Sequence, residues 1–152
     1  YIFIFFKLAH YKITEQNTVQ EHPVSVIICA KNEAQNIANN LPGFLVQDYK
    51  TTHEIIVVND NSEDDTRYVI DEFKKTFKHI NDLELVQEAK LIMGKKFPLS
   101  MGIKSSKYET LLLSDADCVP ASENWMKTMQ SAYTKGKDIV LGYGAYQNGG
   151  IK

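Results

Sequence analysis

Apolar residues in this chain gather into short β-branched runs separated by polar stretches with helical spacing. The first run, Val24-Ser25-Val26-Ile27-Ile28-Cys29 behind Pro23, is too short for a helix and too uniformly apolar for a strand with one wet face, so it predicts a central strand. Glu54-Ile55-Ile56-Val57-Val58, Leu83-Glu84-Leu85-Val86, Thr110-Leu111-Leu112-Leu113 and Asp138-Ile139-Val140-Leu141 predict four more. Each interval between them has room for a helix. Glu33 to Leu41 has Ile37 and Leu41 four apart, with Pro42-Gly43 as a stop. Ser62 and Asp65 read as a capping box ahead of Val69, Ile70, Phe73 and Phe77. A third helix opens near Pro98, and a fourth runs from about Ser122 through Trp125 and Met129 to Tyr133, closed by Gly136. Alternating strands and helices imply parallel pairing through right-handed crossovers, hence an α/β fold: a mostly parallel twisted sheet with helices on both faces. In such sheets ligands bind beyond the carboxyl ends of the strands.

Composition adds bounds. The 152 residues are 43% hydrophobic, enough for one ordinary core, and the formal net charge of -2 with scattered lysines excludes nucleic acid as a partner. Cys29 and Cys118 lack C-x-x-C spacing and stand in apolar contexts, which predicts reduced, buried thiols in a cytosolic compartment. Cys118 is given no metal role, because soft sulfur ligands rarely accompany hard oxygen sites. Residues 1–22 are set apart from a domain at 23–152. The opening Tyr1-Ile2-Phe3-Ile4-Phe5-Phe6 is far short of the ~20 residues that cross a bilayer. Two readings of it stay open: the inner end of a membrane helix, with Lys7, His10 and Lys12 at the cytoplasmic face, or a strand or helix turn packed on the domain.

The chemistry lies just after the apolar runs. The first ends in Ala30-Lys31-Asn32-Glu33, the second in Asn59-Asp60-Asn61-Ser62 and the fourth in Ser114-Asp115-Ala116-Asp117, so three loops bring polar and acidic groups to one edge. A chain with nine aspartates supplies a D-x-D readily by chance; its place after Leu111-Leu112-Leu113 makes this one selective. Two carboxylates at a strand-end crevice call for a cation, and Mg²⁺ or Mn²⁺ held by one or two carboxylates plus phosphate oxygens is the natural one. Capping of the following turn is the competing reading. Asp60 suits either a nucleobase N–H or the N-terminus of the next helix. Lys31 and Lys95 could each balance phosphate charge, Lys95 the more plausibly because Gly94 frees its loop.

Other chemistries fail on particular residues. Gly94-Lys95-Lys96 has Ala89 where a P-loop needs glycine and Lys96 where it needs Ser or Thr; Gly142-Tyr143-Gly144 has Gln147 in place of the third Rossmann glycine. His10, His22, His53 and His79 are dispersed, and no G-x-S-x-G occurs. A receiver-type regulatory module would need an aspartate after the third strand, where Gln87-Glu88-Ala89 stands. A sugar nucleotidyltransferase would need a glycine-rich loop after the first, where Ala30-Lys31-Asn32-Glu33 has no glycine.

Taken in order, Pro23 to Glu33, Glu54 to Ser62 and Asp115-Ala116-Asp117 resemble the family 2 glycosyltransferases of the GT-A fold, over about Pro23 to Gly142. The resemblance implies the nucleotide-sugar-binding half of an inverting enzyme. Ala30, Asn32 and Glu33 would line the nucleoside pocket, and Asp60 would accept from the base, usually uracil, which makes the donor a UDP-sugar. Asp115 and Asp117 would serve ribose, diphosphate and metal, with Asp117 the direct metal ligand. Gly94-Lys95 and Leu99-Ser100-Met101-Gly102 look like the family's glycine-lysine and leucine-asparagine-x-glycine segment, with Pro98 and Ser100 in place of alanine and asparagine. The acceptor would be a saccharide or lipid-linked hydroxyl. Its catalytic base is expected beyond Lys152, together with the glutamine-x-x-arginine-tryptophan signature, so no catalytic residue is assigned.

Overall fold

Four of the five apolar runs become strands, β1 (Val24–Ala30), β2 (His53–Asp60), β3 (Ile80–Leu85) and β4 (Thr110–Asp115). A computed structural model describes residues 22–86, 94–133, 136–142, 144 and 145; the expectations for residues 1–21, the opening apolar run among them, lie outside that set. All pairings are parallel in the order β3-β2-β1-β4, with Val24 opposite both His53 and Thr110. The crossovers carry α1 (Ala34–Leu45), α2 (Thr66–Thr76) and α3 (Lys96–Ser105), and α4 (Trp125–Ala132) follows β4.

The period of two along the strands sends alternate side chains to two cores. On one face Val24, Val26 and Ile28 of β1 and Ile55 and Val57 of β2 meet Ile37, Leu41 and Phe44 of α1, Ile70 of α2 and Met126 of α4. On the other, Ile27, Ile56 and Val58 meet Phe97, Leu99 and Met101 of α3. Helices therefore cover both faces, as the alternation of elements predicts. Among the described residues no helix is long and apolar enough to cross a membrane.

Five expectations need correction. Helix α1 does not stop at Pro42-Gly43 but runs on to Leu45. A proline in a helix interior costs roughly 3 kcal/mol, whereas burying Phe44 and Leu45 beyond it returns about 1.5–3 kcal/mol each, and burial wins. Gly43 lets this turn lie under Pro120, since a Cβ there would stand 3.2 Å from the proline ring. Ser62 does not cap α2: the N-cap is Asp65, with no side-chain bond of its own, and the Thr66 amide donates instead to Asp64 Oδ1 at 3.0 Å. Asp138–Leu141 forms no strand, and Ile139 and Leu141 are 78% and 90% exposed. An apolar run becomes a strand only where it finds a ladder partner. Among the described residues nothing pairs with the outer side of β4, so the fourth strand, expected to be buried, is an edge strand with Leu113 half exposed. Cys118, likewise expected inside, is exposed in the turn after β4.

The amino-terminal edge of the sheet holds a small aromatic stack. The His53 and His79 rings meet at 5.0 Å, flanked by Tyr49 and Phe77. Burial first, and the neighbouring His53 second, hold His79 below its usual value of 6.5, while a bond with the Leu45 backbone opposes them. A base with a lowered folded-state pKa is protonated more readily in the unfolded chain, so stability is lost as pH falls below 6.5. Thermal unfolding followed from about pH 7 to about pH 5.5 should show a smaller drop in midpoint for His79→Gln than for the wild type.

Candidate functional site

The carboxyl ends of β1, β2 and β4 form one edge of the sheet, and the polar residues singled out from the sequence sit there. Ala30 is buried at the end of β1, in register with Asn59 of β2. Next in β2 comes Asp60, 7% exposed. On the other side of β1, Cys29 is in register with Asp115. Burial, then the negative charge of Asp115, push the Cys29 thiol up to about 11, with Lys95 opposing and Asp60 adding to the rise. The end of β1, with the half-buried Cys29, thus stands between the strand ends that carry Asp60 and Asp115, and Lys95 rests on Asp115.

Lys95 immediately precedes α3 and donates from Nζ to Asp115 Oδ1 at 3.1 Å, an exposed contact. That bond, followed by the general attraction of Asp115, raises the Lys95 pKa. Asp117 is exposed two residues on, within a tight turn closed by the Cys118 amide on the Asp115 carbonyl at 3.1 Å. The turn is tied back to α1 by Asn40, whose Nδ2 donates to the Ala116 carbonyl at 2.9 Å. Helical periodicity marks Asn40 only as a polar position, so its role was not visible before the fold was known.

Asn32 and Glu33 belong to a second part of the edge. Asn32 and Asn61 both adopt left-handed backbone, φ 55° and 51°, a region asparagine tolerates better than most residues. The turns this produces bring the β1–α1 loop against the β2–α2 loop. Glu33 keeps its carboxylate half-buried, accepting from Asn36 Nδ2 at 2.5 Å. Lys31 is exposed beside it.

Among the described residues no group of three or more His, Cys, Asp and Glu side chains is assembled for a metal. The donor set still fits a hard divalent cation. Asp115 and Asp117 are carboxylates open to solvent, and the Lys95 ammonium already rests on one of them as a stand-in cation. Mg²⁺ and Mn²⁺ accept such a pair when phosphate and water oxygens fill the remaining positions.

Comparison with known proteins gives a consistent picture. The family described as "Glycosyl transferase family 2" matches residues 25–151. Poly-beta-1,6-N-acetyl-D-glucosamine synthase of Staphylococcus epidermidis is 36% identical over 102 residues, 66% of this chain and 23% of that enzyme. Glycosyltransferase AglE of Haloferax volcanii is 33% identical over 131 residues, 84% of this chain and 41% of AglE. The chain therefore spans well under half the length of these relatives. Among solved structures, the mannosyltransferase PcManGT of Pyrobaculum calidifontis, in complex with GDP-Man and Mn²⁺, superposes with a TM-score of 0.72 at 19% identity, over 88% of this chain and 40% of its own. TarS 1–349 of S. aureus with UDP-GlcNAc gives 0.60 at 24% identity, over 69% and 29%. At these identities the structures establish the fold.

Proposed function

The chain belongs to glycosyl transferase family 2, and from that premise we propose that residues 23–152 are the donor-binding half of an inverting glycosyltransferase that takes a nucleoside-diphosphate sugar with Mg²⁺ or Mn²⁺. The observation that carries this reading is that parallel register sets the ends of β2 and β4, with Asp60 and Asp115, on either side of the end of β1, and Lys95 reaches Asp115 there.

Each residue then has a task set by its place. Asp60, buried at the end of β2, accepts from an imino or amino N–H of the base, and the family's usual preference makes that base uracil. Ala30, Asn32 and Glu33 wall the nucleoside. Asp115 serves the ribose and diphosphate, and Asp117, open to solvent, is the direct metal ligand. Lys95 is free to turn from Asp115 to a phosphate oxygen, because an exposed ion pair of this kind is worth no more than about 1 kcal/mol. When bound, the divalent ion would neutralise the departing nucleoside diphosphate. An acceptor hydroxyl, on a saccharide or a lipid-linked saccharide, attacks the anomeric carbon from the opposite side. The base that deprotonates it is none of the residues assigned here. Cytoplasmic placement, with residues 1–22 approaching a membrane surface, belongs to the same proposal.

Titration calorimetry with UDP, GDP and UDP-sugars, with and without Mn²⁺, tests it. UDP is expected to bind in a metal-dependent way, and Asp117→Ala to weaken that binding on the order of 100-fold through loss of the charged ligand. Binding that ignores both metal and mutation would sink the proposal. Tighter binding of GDP than UDP would overturn the uracil assignment alone.

A further inference from the structure

The two loops beside the nucleoside pocket are joined more thoroughly than loop packing requires. Three successive amides at the start of α1 each end on a different side chain of the β2–α2 loop. The Asn32 amide donates to Ser62 Oγ at 2.9 Å, the Glu33 amide to Thr66 Oγ1 at 2.9 Å and the Ala34 amide to Asp64 Oδ2 at 3.1 Å. The bonding is returned, because the Glu63 amide donates to Asn32 Oδ1 at 2.8 Å. Asp64 Oδ1 also accepts from the Thr66 amide at 3.0 Å and the Thr66 hydroxyl at 2.5 Å. One carboxylate therefore occupies the first amides of α1 and α2 together, where a helix N-terminus would otherwise attract an anion. Burial alone would raise the pKa of that carboxyl, but the Thr66 hydroxyl and the Ala34 and Thr66 amides hold it below its usual value.

We propose that Asp64 and Thr66 are positioning residues for nucleoside recognition: they clasp the β1–α1 loop to the β2–α2 loop and so fix Asn32 and Glu33 relative to Asp60. The inference rests on the donor-site reading above and adds to it residues that touch no ligand. The clasp has two consequences. The amides of Asn32, Glu33 and Ala34 are already taken by protein oxygens, so the diphosphate has to find its donors on the β4 side, at Lys95 and the metal. The nucleoside wall is pre-organised, since Asn32 cannot swing away without breaking bonds in both directions.

The clasp can be separated from a general contribution to folding by comparing two ligands on the 152-residue chain, each with Mn²⁺: UDP, which has a nucleoside, and inorganic pyrophosphate, which has none. Thr66→Val keeps the buried shape of Thr66 but removes the oxygen that accepts from Glu33, and Thr66→Ser keeps the oxygen. Asp64→Ala is made at an exposed position, so the protein keeps its fold if the buried Thr66 change does not. Thr66→Val and Asp64→Ala are expected to weaken UDP about tenfold, roughly the loss of one well-placed hydrogen bond, while pyrophosphate stays within about twofold. Thr66→Ser should restore UDP binding to within about twofold of the wild type. A parallel fall for both ligands, or unchanged UDP binding in both variants, would overturn the clasp and leave the donor site standing. No UDP binding by the wild type would remove the donor-site reading and the clasp with it.

Discussion

Replacing Glu54 with alanine is expected to lower stability by about 3–5 kcal/mol through the hydrogen-bond donors it would leave unpaired, although the residue lies at the opposite end of the sheet from the candidate site. The residue is 3% exposed, and four donors converge on its carboxylate. Oε1 accepts from the Ser25 hydroxyl at 2.7 Å and the Lys107 amide at 2.7 Å; Oε2 accepts from Asn81 Nδ2 at 2.9 Å and faces Lys107 Nζ at 3.7 Å. These partners come from β1, β3 and the turn before β4, so one carboxylate joins the starts of all four strands. Alanine would leave the buried Ser25 hydroxyl and the part-buried Asn81 amide and Lys107 backbone amide without their acceptor, and each such group costs about 1–3 kcal/mol. Glutamine keeps one carbonyl for the Ser25 and Lys107 donors and should cost less than half as much. Thermal melts check the order, with a midpoint about 10 °C lower expected for Glu54→Ala in a domain of this size.

The second large effect is expected at Gly102. Helix α3 crosses β1 and β2 with this glycine against the sheet, and a Cβ there would stand 2.6 Å from Ile27 Cγ2 and 3.0 Å from Val58 Cγ2. Both methyls sit on β-branched side chains in central strands, where χ1 has little freedom to move them aside. The helix has to lift off the sheet instead. Gly102→Val should therefore cost about 3 kcal/mol, the upper end of overpacking penalties, and outweigh the gain in helix propensity over glycine. Because Lys95 immediately precedes the same helix, the variant should also weaken Mn²⁺-dependent UDP binding; denaturant unfolding and calorimetry on one preparation measure the two effects.

Glu54 and Gly102 illustrate what could be read from the chain and what could not. Four strand positions were legible because β-branched runs such as Val24–Cys29 and Glu54–Val58 satisfy both propensity and burial. The placing of Asp60, Asp115 and Asp117 at one edge followed from those strands being parallel. Long-range pairing was not legible. Glu54 looks like the polar flank of an apolar run until Ser25, Asn81 and Lys107 are brought to it. Asp138–Leu141 has a strand's composition without a neighbour to complete it. Pro42-Gly43 reads as a stop because local rules do not include the burial of Phe44 and Leu45. Ser62 with Asp65 reads as a capping box for the helix that follows, yet its hydroxyl serves Asn32, thirty residues earlier in the chain.

The register of the sheet also sets an order of assembly. Val24 meets His53 across one crossover but reaches Thr110 only after nearly the whole domain has been traversed. Closing a loop costs entropy that grows with its length, by about 0.6 kcal/mol per doubling, so the β1–β2 pair that carries Asp60 can nucleate before the β1–β4 pair that carries Asp115. The late strand is also the thinly covered one, with Leu111 and Leu112 half-buried and Leu113 more open still. Local opening of the folded sheet is expected to start at such a thinly covered edge. Asp60, the proposed base reader, thus stands on an interior strand that can pair early, and Asp115, with Asp117 in the turn just beyond, on an edge strand that pairs late.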